Sequence, residues 1–183
     1  MHTGQQPRKL ILIARLLVFV TVVTTGLPSE AQVPDGEWHA FGRDEANTKY
    51  SPLDHITADN FSDLEIAWRW TSLSRAVVEE NERIRPSAFK SSPLMADGLV
   101  YVSTALGQAA ALDAGTGEPV WTYDPRIYDD MERPPNMGWH HRGLSYWKDD
   151  QSDDARIFMS NHDLKLVALN ARTGARYPDF GEN

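Results

Sequence analysis

Few side chains in this 183-residue sequence have chemistry to offer, and they are unevenly placed. There is no cysteine, so the chain has no thiolate nucleophile, no thiolate metal site, no disulfide and no lipid-attachment cysteine. Among the histidines, His39, His55 and His162 are scattered, and no pair has the spacing of a zinc site. His140 and His141 are adjacent and lead straight into Arg142. Neighbours in an extended segment point to opposite sides, so at most one of these imidazoles faces a ligand there. Glu79, Glu80 and Glu82 read as a solvated face. Arg142 closes an irregular stretch from Asp124, in which Pro125, Pro134, Pro135 and Gly138 oppose regular structure. Long loops in compact domains generally cap a site or a partner surface, which makes this loop end the first place to look.

The elements around it read as short strands. Leu99 to Thr104, Gln108 to Leu112 and Val120 to Tyr123 are the plainest, followed by Arg156 to Ser160 and Lys165 to Leu169. An earlier strand is expected over Leu64 to Trp70, where Leu64, Ile66, Trp68 and Trp70 share one face at period two. Arg75 to Arg85 is charged, lacks a sustained period, and is expected to be a loop. Asp149 to Asp154 reads as an acidic surface turn, and residues 32 to 60 as a polar lead-in covering the edge of the first sheet.

The segment Ala111-Leu-Asp-Ala-Gly-Thr-Gly-Glu-Pro-Val-Trp121 brackets a glycine-bearing turn with two apolar runs. A fainter copy stands at Ala168-Leu-Asn-Ala-Arg-Thr-Gly174, with Leu112 and Leu169 at a period of 57 residues. Self-similarity at this length is what the blades of a β-propeller give, since one small sheet buries both faces only when neighbours stack on it. Trp121 is then the wedge between two blades. A blade takes roughly 40 to 60 residues and a closed ring at least about four blades. Two blades and part of a third are expected here, so the chain reads as only part of a closed all-β ring.

The pattern formed by Ala111, Asp113, Thr116, Gly117 and Trp121 resembles the tryptophan-docking motif of the pyrroloquinoline quinone (PQQ) dependent dehydrogenases. Trp38-His-Ala-Phe-Gly-Arg-Asp44, with Asn47, Lys49 to Leu53, Ile56, Asn60 and Leu64 to Trp68, is similar to that family's N-terminal segment. Arg142-Gly-Leu-Ser-Tyr-Trp147 is similar to its arginine-glycine loop. The resemblance implies an eight-bladed propeller and oxidation of a sugar or alcohol hydroxyl with hydride transfer to PQQ. It places Arg142 against the quinone oxygens or a carboxylate of PQQ, where a guanidinium stabilises developing negative charge without giving up a proton.

Many members carry a disulfide-bonded cysteine pair five and six residues before that arginine; Asn136 and Met137 stand there instead. Many also place a glutamate three residues before the proline of the strand after the first blade. Counting back from Pro93 gives Lys90, which can pair with a PQQ carboxylate directly. The cysteine-free pattern and the Tyr177-Pro-Asp-Phe-Gly181 ending resemble the glucose dehydrogenase-like branch. The resemblance implies calcium as a second cofactor and a quinone or cytochrome as electron acceptor. It also implies that the calcium ligands and the general base come from later blades, so these residues alone are expected to be inactive. A non-enzymatic scaffold of similar repeats, of the kind that acts in outer-membrane protein assembly, is the alternative.

Arg8 and Lys9 precede an apolar run from Leu10 to Leu27, and Ser29-Glu-Ala31 offers small residues for cleavage, so residues 1–31 read as a signal peptide directing export to the periplasm. The mature propeller portion then covers residues 32–183. Arg15 interrupts the run, and a membrane span wants roughly 20 apolar residues; an anchor over residues 10–27, holding the chain at a membrane, is the alternative. The net charge of −8 grows more negative once Arg8, Lys9, Arg15 and Glu30 are removed, which argues against nucleic acid as a partner.

Overall fold

A computed structural model describes residues 33–130 and 138–181. The expected export segment and the Asn136-Met137 pair lie outside the described residues. Strands β1 (Leu94–Ala96), β2 (Leu99–Ser103), β3 (Ala109–Asp113) and β4 (Pro119–Tyr123) form one antiparallel sheet in sequential order. Strands β5 (Ser145–Lys148), β6 (Ala155–Ser160) and β7 (Leu166–Asn170) form a second. An isolated bridge from Leu169 to Arg176 begins a fourth strand at the same register as the Leu112–Pro119 pair of the first sheet. The five plainest expected strands are all present, within a residue of their expected ends.

The sheets pack face to face. Leu94, Ala96, Tyr101, Ala109, Ala111 and Trp121 of the first meet Ile157, Met159, Val167 and Leu169 of the second in one buried cluster. β3 is buried on both faces, and its alternation divides it cleanly: Ala109 and Ala111 join that cluster, while Ala110 and Leu112 join Val102 on the other face. The run of alanines lets a neighbour approach the strand closely from either side.

The repeated turns explain the docking motif atom by atom. Asp113 Oδ1 accepts hydrogen bonds from the N–H groups of Gly115 (3.0 Å) and Thr116 (2.9 Å) and from Thr116 Oγ1 (3.0 Å). Asn170 Oδ1 accepts the matching set from Arg172 (3.0 Å), Thr173 (3.0 Å) and Thr173 Oγ1 (3.1 Å). These donors, the Thr116 N–H first, hold the Asp113 carboxyl below its ordinary pKa. Each turn then offers a bare glycine and a carbonyl to an indole from the preceding unit. Trp121 donates from Nε1 to Ala171 O at 2.7 Å and lies over Gly174, where an added Cβ would stand 2.7 Å from the ring. Trp68 does the same to Ala114 O at 3.0 Å and to Gly117, where a Cβ would stand 2.5 Å from the ring. Gly117 and Gly174 have positive φ, 76° and 70° respectively, a region that side chains with a Cβ seldom adopt.

Four expectations need correction. Leu64 to Trp70 is extended but forms no ladder among the described residues. Only the later half of its period-two face finds partners: Trp68 and Trp70, with Leu73, pack beside Val102, Ala110 and Leu112, whereas Leu64 and Ile66 are exposed. The two indoles meet a sheet face while the backbone meets no strand. The expected loop after it contains helix α1 (Ser74–Glu80), too short to show a period in sequence. Arg75 pairs with Glu79 at i,i+4, and Val77 and Val78 turn toward the cluster of Ile84, Leu106 and Trp139. The long loop likewise holds a single helical turn, α2 (Ile127–Asp130). Strand β1 and strand β5 were not anticipated, and Pro93 precedes the first sheet rather than following it. The lead-in does cover the sheet edge, through the bridge of Trp38 to Met95.

Because Trp121 is 7 % exposed and Trp68 is half-buried, the two docking contacts differ in weight. Trp121→Ala is expected to destabilise the chain by about 3–5 kcal/mol, and Trp68→Ala by clearly less. Urea denaturation of the two variants checks the ordering, and equal losses would contradict it.

Candidate functional site

The connections at one end of the sheets converge. β2 and β6 both finish there, and their turns, Thr104 to Gln108 and Asn161 to Lys165, meet the incoming loop that carries Arg142. His162 donates to Ala105 O at 3.2 Å, and its ring lies edge-on to Trp139 at 5.2 Å and to His140 at 5.9 Å. The loop leaves β4 under tight control. Gln108, 1 % exposed, accepts from Ser74 Oγ (3.0 Å) and Thr104 Oγ1 (2.9 Å) and donates to Asp124 Oδ2 (2.8 Å). Tyr128 donates to the same carboxylate oxygen at 2.7 Å; its phenol pKa is raised, by burial first and by that hydrogen bond second.

The loop returns beside the segment that leads into β1. Two parallel bridges, Pro86 with Trp139 and Ser92 with Gly143, zip the segments together. Lys90 precedes Ser92 by two residues and Arg142 precedes Gly143 by one. The two residues expected to meet a cofactor are 52 positions apart, and both are exposed on these adjoining segments. Among the described residues, neither side chain makes an ion pair or a hydrogen bond. A ligand bearing several carboxylates suits two exposed cations on adjoining segments, neither of which holds a carboxylate among the described residues. Among the described residues no group of three or more His, Asp or Glu side chains converges to hold a metal.

Behind the cations lies a buried polar bracket that sequence reasoning missed. His141 is 5 % exposed and bonded at both nitrogens. Nε2 lies 2.8 Å from Ser160 O, which only accepts, so Nε2 carries the proton. Nδ1 is therefore an acceptor, for the Gly143 N–H at 3.2 Å and the Ser103 hydroxyl at 2.9 Å. Ser91 Oγ stands 2.7 Å from Ser103 Oγ and 3.2 Å from His141 O. His140 instead is half-buried and donates to Gly138 O at 3.0 Å, so the adjacent imidazoles do go to different surroundings. The only sequence signal for the bracket was the His-Arg-Gly adjacency; serines 91 and 103 carry no pattern.

Residues 38–183 match the family model described as "Glucose/ethanol/alcohol dehydrogenase, beta-propeller domain". The chain belongs to the PQQ-dependent dehydrogenase family. It is 34 % identical over 144 residues to a quinohemoprotein alcohol dehydrogenase of Comamonas testosteroni, covering 79 % of this chain and 18 % of that protein. It is 33 % identical over 141 residues to the 1-butanol dehydrogenase (cytochrome c) of Thauera butanivorans, covering 77 % and 18 %. The quinoprotein glucose dehydrogenase A of Acinetobacter calcoaceticus aligns over 88 % of this chain and 22 % of that protein, at 27 % identity. Among solved structures, the Comamonas testosteroni quinohemoprotein alcohol dehydrogenase superposes with a TM-score of 0.58 at 31 % identity, over 76 % of this chain and 18 % of that one. The chain thus spans about a fifth of the length of these relatives. The two sheets are blades of the family's β-propeller.

Burial lowers the His141 pKa from its ordinary 6.5, with His140 and His162 adding to the effect and the bond to Ser160 O opposing it. The folded chain binds this proton more weakly than the unfolded chain does. Stability from this group is therefore complete above the ordinary value and is lost as pH falls through the lower folded one. Urea titrations from about pH 7.5 down to about pH 5 should show that descent. His141→Gln, which keeps a donor toward Ser160 and cannot ionise, should flatten it; an unchanged slope would remove His141 as the source.

Proposed function

We propose that this chain supplies part of the cofactor-facing end of an exported PQQ-dependent dehydrogenase that oxidises an alcohol or sugar hydroxyl. The Ser92–Gly143 bridge carries the reading, because it sets Lys90 and Arg142 on adjoining segments at the end where the blade turns converge. PQQ when bound supplies a quinone that accepts hydride. Arg142 would hold PQQ through its quinone or carboxylate oxygens, its guanidinium supplying positive charge there without giving up a proton, and Lys90 would pair with a ligand carboxylate. Neither residue needs to move a proton. No residue here matches the general base or the calcium ligands that the resemblance implies, so those tasks fall to residues beyond these 183.

Two relatives, the 1-butanol dehydrogenase (cytochrome c) of Thauera butanivorans and an alcohol dehydrogenase (quinone) subunit of Gluconobacter oxydans, support an electron acceptor that is a cytochrome c or a quinone. For the substrate, the higher identities favour alcohols, whereas the absence of cysteine and the Tyr177 to Gly181 segment favour the glucose branch.

Two measurements test the proposal. PQQ binding, followed by quenching of tryptophan fluorescence, should weaken by roughly 10- to 100-fold in Arg142→Ala and in Lys90→Ala, the range expected for losing a charge-assisted hydrogen bond. Wild-type affinity in Arg142→Ala would sink the assignment. Turnover by the 183-residue chain with PQQ, calcium, glucose or a primary alcohol and an artificial acceptor should be absent; turnover would place the base among these residues.

A further inference from the structure

We infer that His141 is a positioning residue that holds the Arg142-Gly143 loop in place through its Nδ1 lone pair, separately from the tie it makes between the blades through Nε2. This rests on reading Arg142 as a cofactor contact. Gly143 has φ +120°, a conformation that glycine reaches without strain but does not enforce. Something outside its own backbone must select that conformation. Its N–H donates to His141 Nδ1, the imidazole of the residue two positions back. The ring cannot rotate away, because Nε2 is tied to Ser160 O at the end of β6 and Nδ1 also receives Ser103 at the end of β2. One buried ring therefore reads the positions of two sheets and passes them to the backbone on which Arg142 sits. Ser91, next to Lys90, joins the same bracket through Ser103 and the His141 carbonyl, so both cations flank one buried group.

The two nitrogens can be tested separately. Asparagine places an amide oxygen close to where Nδ1 stands and leaves Ser160 without its donor. Glutamine reaches toward Nε2 and Ser160 but offers Gly143 no acceptor. In the full chain, His141→Asn is expected to keep Gly143 amide exchange slow and PQQ affinity within about twofold of the unaltered chain while lowering Tm. His141→Gln is expected to keep Tm, to speed Gly143 exchange and to weaken PQQ binding, each by about tenfold. Ser103→Ala, a milder change, should move exchange and affinity in the same direction as His141→Gln. PQQ affinity that follows Tm instead of Gly143 exchange would overturn the inference, as would slow Gly143 exchange in His141→Gln. Full PQQ affinity in Arg142→Ala would overturn the cofactor reading, and the exchange measurements would then still decide whether His141 holds the loop.

Discussion

The seating of an indole on a bare glycine organises everything else in this chain. A tryptophan needs a broad flat surface and a partner for its single N–H when it is buried. The Asx turn at Asn170 to Gly174 offers both, because its donors satisfy the Asn170 side chain and leave Gly174 without a Cβ and Ala171 O free to accept Trp121. The contact repeats one unit earlier with Trp68, Ala114 and Gly117. Each unit is incomplete alone and is completed by its neighbour, which is the physical content of a blade.

That seating fixes the sheets at one end, and the polar bracket ties them at the other. Tryptophan docking occurs at the turns after β3 and β7, whereas His141, Ser91 and Ser103 connect the ends of β2 and β6 to the segments leading into β1 and β5. Apolar packing between the faces, from Leu94 to Leu169, sets spacing but leaves sliding comparatively cheap. Directional hydrogen bonds to a buried imidazole do not. The segments that carry Lys90 and Arg142 are thus tied to one buried imidazole, whose pKa burial lowers.

Much of this was legible beforehand. The turn residues Asp113, Thr116 and Gly117 announce themselves by type and spacing, and their copy at Asn170 repeats them, so strands and blade repeat followed. Leu64 to Trp70 misled because alternation reports which side chains share a face, and says nothing about whether a partner strand lies alongside. Helix α1 was hidden by its seven residues, since two turns give no period to detect. Arg142 and Lys90 come from the family resemblance alone, through the arginine-glycine loop and the count back from Pro93. That the two lie on adjoining segments depends on the Ser92–Gly143 bridge, a contact between residues 51 positions apart that no local pattern encodes.

By itself, the sequence determined the family, the repeat and five of the strands, because turn chemistry, period-two alternation and motif spacing are local properties of the chain. Tertiary structure alone decided which imidazole is buried, which of its nitrogens carries the proton, and which serines meet it. Those outcomes depend on what stands within hydrogen-bonding distance after the sheets have stacked. The Ser160 carbonyl that sets the His141 tautomer is 19 residues away in the chain and 2.8 Å away in the fold.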